Sequence, residues 1–191
     1  MINLEMQKKH FEKHVAKFTN LGSIKILDFA EPDNCCYRIR FLFDESQYKL
    51  HISGDLGDLT ATNYKNMTYE CFGDFVHNPS YFLRKVDCHS RRVWEFNDRK
   101  AYNDLKEHFQ KYEIECPEDY DSVDECIQNI LDDFSDEGGI SEYGYHILHE
   151  IDSDCWEWCC DLGKESTGII ETYLLAFELA TEQLKKKGEL K

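Results

Sequence analysis

The stretch CCYRIRFLFDESQYKLHIS, residues 35–53, decides the fold. In its first half Cys35, Tyr37, Ile39, Phe41 and Phe43 fall on one side, with Arg38 and Arg40 opposite. Its second half sets Tyr48, Leu50 and Ile52 against Lys49, His51 and Ser53. Side chains of a strand alternate between its faces, so each half reads as a strand with one face on a core and one towards water. Asp44, Glu45 and Ser46 between them are turn-forming residues. So short a connection has no room for a parallel crossover, and the pair is antiparallel.

Outward from this hairpin, residues 23–29 read as a strand before it. Residues 59–64 read as one after the turn Gly54-Asp55-Leu56-Gly57-Asp58. The expectation is an antiparallel meander of three to four strands. Ahead of it, Leu4, Lys8, Phe11, Val15 and Phe18 follow helical spacing, which predicts one helix ending at Gly22. Beyond the sheet the pattern turns helical. Tyr69, Phe72 and Phe75 mark a short helix, and Pro79 opens another containing Tyr81, Phe82 and Val86. Residues 92–96 read as an edge strand. Tyr102, Leu105, Phe109 and Tyr112 give a helix over 98–114. Past Pro117, the spacing of Val123, Ile127, Ile130 and Phe134 gives an amphipathic helix that Gly138 and Gly139 end. Residues 141–163 show little period. Ile170, Tyr173, Phe177, Ala180 and Leu184 define a last helix over 167–187, with Lys185, Lys186 and Lys187 where its dipole favours cations. The fold class read from this pattern is α+β: an antiparallel meander packed with helices, followed by a helical, acidic C-terminal half. Two lobes sharing one core are expected, at 1–112 and 113–191.

Charge is the other strong signal. The chain of 191 residues has 38 acidic and 22 basic residues, a net −16. Residues 113–165 hold eighteen of the acids and a single base, Lys164, so this segment carries −17 while the remainder is nearly neutral. On the helix of Val123 to Phe134 and its flanks, Asp119, Asp121, Asp124, Glu125, Asp132, Asp133, Asp136 and Glu137 lie off the apolar stripe. Carboxylates so dense repel one another, and a cationic partner relieves that repulsion. Rows of carboxylates also imitate phosphates, which makes a nucleic-acid-binding protein a natural target and direct binding to DNA or RNA unfavourable. These eight residues are the candidate partner-binding set; the alternative is a solvated face that aids solubility. Trp156, Trp158, Tyr143 and Tyr145 lie within the acidic region, either as interface anchors or as core.

Nine cysteines, an odd number without an export signal at the start of the chain, favour thiols or a metal site in a reducing compartment over disulfides. Two loose ligand sets suit one structural zinc ion: His146, His149, Cys155 and Cys159, or Cys71, His77, Cys88 and His89. Neither has the knuckle spacing of a zinc finger, and buried thiols are the competing reading. The pattern His10-Phe-Glu-Lys-His14 places its glutamate one position too late for a zinc protease. Gly54-Asp-Leu-Gly57 lacks the lysine of a phosphate loop. No serine has a nucleophile-elbow context, and the expectation is a protein without enzymatic activity. No run of eighteen apolar residues is present, so a cytoplasmic protein without a membrane partner is expected.

At HISGDLGDLTATNY (51–64), NPSYFLRKV (78–86) and AFELATEQL (176–184), the chain resembles a broad group of small phage and prophage proteins. The resemblance implies an anti-defence protein of the anti-CRISPR kind, acting in the host cell as an acidic, DNA-mimicking inhibitor. Its partner would be a basic host protein, an RNA-guided nuclease. Such nucleases hold their heteroduplex in a positively charged channel, and stoichiometric occupation of that region would block DNA loading. A zinc-stabilised structural or regulatory phage protein is the other reading.

Overall fold

A computed structural model describes residues 4–34 and 36–188. The protein is α+β, and it divides into two compact units, one of residues 1–93 with 167–191 and the other of 94–166. This grouping replaces the expected division at 112/113. The reason is that the helix over 98–111 packs with the acidic segment, while the last helix packs on the sheet.

The first unit is built on six antiparallel strands in the order of the chain: β1 (Val15–Leu21), β2 (Ile24–Ala30), β3 (Ile39–Asp44), β4 (Lys49–Gly54), β5 (Leu59–Thr62) and β6 (Val86–His89). The alternation in 39–53 appears as read. Ile39, Phe41, Phe43, Leu50 and Ile52 are all buried, and Phe41 faces Ile52 while Phe43 faces Leu50. On the opposite face the partners are polar: Arg40 pairs with Asp28 at 2.6 Å, and Thr60 Oγ1 lies 3.2 Å from His51 Nδ1. Tyr37 is not part of β3; it sits in a turn with φ of 58°. Cys35, expected on the same strand face, lies outside the described residues.

Two strands exceed the expected count. The helix predicted up to Phe18 ends at His10 (α1, Leu4–His10), and Val15 and Phe18 belong to β1. Gly22, read as the helix stop, instead turns a hairpin with φ of 81°, pairing Leu21 with Ile24. A seven-pair ladder outweighs a helical pattern that carried only five matching positions. Val86, read as helical, likewise opens β6, because α2 (Pro79–Leu83) stops early and Thr62 N donates to Lys85 O. The expected helix at 69–75 is a single tight turn over Phe72–Phe75.

The inner sheet face is covered by α6 (Ile169–Lys186), whose Phe177 meets Phe41, Phe43, Tyr69 and Phe72 at ring separations of 5.6, 6.1, 5.7 and 4.8 Å. The start of edge strand β1 is held by the same helix: Gln183 Oε1 accepts from Ala16 N and its Nε2 donates to His14 O. An amide side chain thus supplies both partners that a neighbouring strand would give. Tyr173 reaches Gly57 O in the turn between β4 and β5, and burial pushes its hydroxyl up to about 12. In that turn Gly54 has φ of 150°, and a side chain there would meet Arg38 O at 1.9 Å. Only glycine fits.

Lys25 sits on the core face of β2, and its ammonium is held by Glu45 at 2.9 Å and by Glu70. Desolvation, the largest single influence, pulls the lysine down, but the two glutamates outweigh it and leave its pKa raised. For Glu70, burial pushes up, while the hydrogen bond and charge of Lys25 hold it below its ordinary 4.5. Glu70 therefore stabilises above pH 4.5, and its contribution is lost as pH falls through the lowered folded value. Lys25 contributes fully below pH 10.5, and its share is lost as pH climbs through its raised folded value. Lys25→Ala is expected to cost about 1–3 kcal/mol, because it strands Glu45 beside the core. In thermal melts the deficit should be greatest near neutrality and shrink in acid. A deficit that does not change with pH would contradict this account.

The second unit holds α3 (Asp98–Lys111), α4 (Val123–Ile130), α5 (Glu142–Ile151) and a two-stranded ribbon of β7 (Trp94–Phe96) and β8 (Lys164–Ser166). Its core includes Leu105, Phe109, Ile127, Ile130, Leu148 and Leu162. The stretch 141–163, read as lacking period, contains α5, which Ser141 caps by accepting from Gly144 N at 3.0 Å. No helix among the described residues is long and apolar enough to cross a membrane.

Candidate functional site

The excess acid lies within one compact unit. Residues 94–166 hold 22 of the 38 acidic residues and five of the 22 basic ones, a net −17, which leaves +1 for the rest of the chain. Three of those five bases are paired inside the unit: Lys100 with Asp104 at 2.6 Å, Lys106 with Asp124 at 2.9 Å, and Lys164 with Asp161 at 2.8 Å. Helix α4 explains how the acids reach solvent. Cys126, Ile127 and Ile130 face the core, so the remaining face must turn outward.

All eight candidate carboxylates are exposed, but they differ in what they do. Asp124 takes hydrogen bonds from Lys106 Nζ and from Tyr102 hydroxyl at 2.8 Å, and the lysine, foremost, holds its carboxyl below the usual range. Glu125 closes the start of α4: its N donates to Ser122 Oγ, and its Oε2 accepts from Asp121 N at 2.8 Å. These two carboxylates maintain the local fold. Asp136 contributes its carbonyl to Phe96 N, and Glu137 also interacts within the chain. Asp119, Asp121, Asp132 and Asp133 form no ion pair among the described residues. Asp133 turns the chain after α4 with φ of 58°.

The two metal-ligand sets are not brought together: among the described residues no group of three or more histidines, cysteines or carboxylates converges. In the first set, Cys155 and Cys159 are buried and hydrogen-bond to each other, whereas His146 and His149 are exposed on α5. Burial pushes the Cys155 thiol up to about 11, the behaviour of a small core residue. His149 stacks on Tyr145, and His146 faces Glu142. In the second set, Cys71 is half-buried before the turn at 72–75 and His77 is exposed after it. Cys88 and His89 are neighbours on β6, which sends their side chains to opposite faces.

The aromatic residues of the acidic segment separate as well. Trp156 and Tyr143 are exposed, while Tyr145 packs against the unit's core. Trp158 stacks on His108 of α3 with ring centres 3.9 Å apart, and Tyr112 lies against the same histidine at 4.6 Å. Asp152 fixes this group: its Oδ2 accepts from Trp158 Nε1 at 3.2 Å and lies 3.4 Å from His108 Nε2. Sequence reading singled out Trp158 but not His108 or Asp152. The aromatic–acidic composition was the available signal; the pairing across 44 positions between His108 and Asp152 was not.

No protein-family model matches the chain, and neither the curated proteins nor the solved structures contain a match to it.

Proposed function

We propose that the unit 94–166 binds a strongly basic protein surface of the kind that holds nucleic acid. One observation carries this reading: the whole charge excess is gathered in a single folded unit, most of whose own bases are already paired. A solubilising role needs charge but no such segregation. Within this class, the resemblance to small prophage proteins points to an RNA-guided nuclease of the host, inhibited stoichiometrically by occupation of its basic channel. Electrostatic association of this kind is fast and weakens steeply with salt.

The surface can be tested without disturbing α4 if Asp124 and Glu125 are left alone. The variant Asp119→Lys, Asp121→Lys, Asp132→Lys and Asp133→Asn, the last chosen because φ of 58° at Asp133 suits asparagine and not lysine, should keep its circular dichroism spectrum. It should lose at least tenfold in affinity for a purified guide-loaded nuclease, and with it the inhibition of DNA cleavage. Inhibition equal to that of the unaltered protein would remove this function. A lysate pull-down eluted with a salt gradient identifies the partner. Capture insensitive to salt would count equally against the electrostatic reading.

A further inference from the structure

The second unit contains an open cavity of about 410 Å³ beside Trp158. It is lined by the rings of His108, Tyr112 and Trp158, by Ile114 and Ile151, and by the carboxylates of Asp152, Asp154 and Glu157. No lysine or arginine lines it. We propose that this pocket is a cage for a guanidinium group, the side chain of an arginine on a partner protein. It would form the anchoring point of the basic-partner surface, and to that extent it rests on the function proposed above.

The geometry is that of a prepared site. Asp152 is consumed in holding the walls: its Oδ1 accepts from Asp154 N at 2.9 Å, and its Oδ2 orients Trp158 and His108. The ring positions are therefore set before any ligand arrives, which lowers the cost of binding. Asp154 and Glu157 are exposed and make no ion pair among the described residues, so their charge is available. Tyr112 is 58% exposed at the end of α3, so its ring can be reached from solvent. Lys111 Nζ lies 4.9 Å from its centroid, a cation contact that an incoming guanidinium would share or displace.

Ring faces attract cations through their quadrupole, and the lining carboxylates add charge. Guanidinium suits the pocket better than ammonium does. It is flat, stacks on indole and phenol faces, is weakly hydrated, and bonds carboxylates with two parallel donors. Phosphate-bearing ligands would be repelled by the lining carboxylates. Arginine is also enriched among the few residues that dominate protein interfaces, and such anchors fill pockets of this type.

The test titrates ¹⁵N-labelled full-length protein with N-acetyl-arginine amide, its neutral citrulline analogue, and a hexa-arginine peptide. The arginine probe should shift the Trp158 indole N–H resonance selectively, and the citrulline analogue should not. Tyr112→Ala with Glu157→Gln should weaken the hexa-arginine peptide at least tenfold. Asp132→Asn with Asp133→Asn removes more charge elsewhere on the unit and should weaken it less than threefold. An unmoved indole resonance, or equal losses in the two double variants, would overturn the cage. A shifted indole with no basic protein captured would uphold the cage and remove the partner reading. Partner capture that survives Tyr112→Ala with Glu157→Gln would uphold the partner reading and overturn the cage.

Discussion

Phe72→Ala is expected to destabilise the sheet-bearing unit by about 3–5 kcal/mol, as large a loss as single truncations of buried aromatics produce. Phe72 is fully buried, and its ring meets five others: Phe41 at 6.3 Å, Phe43 and Phe75 at 5.5 Å, Phe82 at 5.2 Å and Phe177 at 4.8 Å. Most of these pairs are edge-to-face, a geometry that adds to the burial itself. The neighbours belong to the sheet, to the tight turn at 72–75, to α2 and to α6. They cannot collapse together onto the vacancy without dragging backbone from each. Phe72→Leu keeps most of the volume and should cost under about 1.5 kcal/mol. Urea unfolding followed by far-ultraviolet circular dichroism checks both. A loss below about 1 kcal/mol for the alanine variant would show that the cluster is not the keystone of this core.

Gly144→Ala should destabilise the acidic unit by about 3 kcal/mol, at the upper end of losses from overpacking. In an exposed helix interior the same change gains up to about 1 kcal/mol, because alanine is the better helix former. Here the sign reverses. An added methyl on α5 would sit 2.0 Å from Ile130 O and 3.0 Å from Ile130 C, both backbone atoms at the end of α4. Backbone cannot rotate away as a side-chain tip can, so the two helices must separate. The three tryptophans, Trp94, Trp156 and Trp158, all lie in this unit, so their fluorescence reports its unfolding directly. Gly73→Ala in the sheet-bearing unit, followed by circular dichroism, provides the contrast, since nothing lies within 4 Å of its added methyl. If Gly144→Ala matched or exceeded the stability of the parent, the close crossing of α4 and α5 would be refuted. Loss of partner binding in this variant would also follow from disorder in the unit. The surface and cage variants, which leave both helices intact, are therefore the informative ones for function.

The function proposed here rests on charge that is legible without coordinates, but the structure changes which carboxylates matter. Asp124 and Glu125 look equivalent to Asp132 and Asp133 in the sequence. In the folded unit the first two are engaged by Lys106 and by the backbone of Asp121, and the other two form no ion pair among the described residues. Charge reversal at the first pair would confound binding with helix capping. At Asp132 it reads binding alone, and at Asp133, with φ of 58°, neutralisation to asparagine does so without backbone strain. The histidines and cysteines show the reverse case. Their spacing suggested ligands, yet spacing along the chain does not say which face a side chain takes, and α5 turns His146 and His149 outward while Cys155 and Cys159 enter the core.

What the sequence determined by itself was local and periodic. Strands β3 and β4 and helices α3, α4 and α6 follow from patterns complete within some twenty residues, and the confinement of charge from simple counting along 113–165. Tertiary structure decided whatever depends on a distant partner. Val15 and Phe18 fit a helix until Ile24–Ala30 offers a ladder across Gly22, and Val86 fits α2 until Leu59–Thr62 pairs with it. The helix α5 has only ten residues, with Ile147 and Leu148 buried among them, too few to show a period before α4 supplies the surface they cover. The cage beside Trp158 is the extreme case. Its rings and carboxylates come from α3 and from the turns after α5, and only folding brings Asp152 to the two nitrogens it holds. Periodicity records which face of an element is apolar; it does not record what that face will meet, because contact energy belongs to pairs of residues that the chain brings together only when it folds.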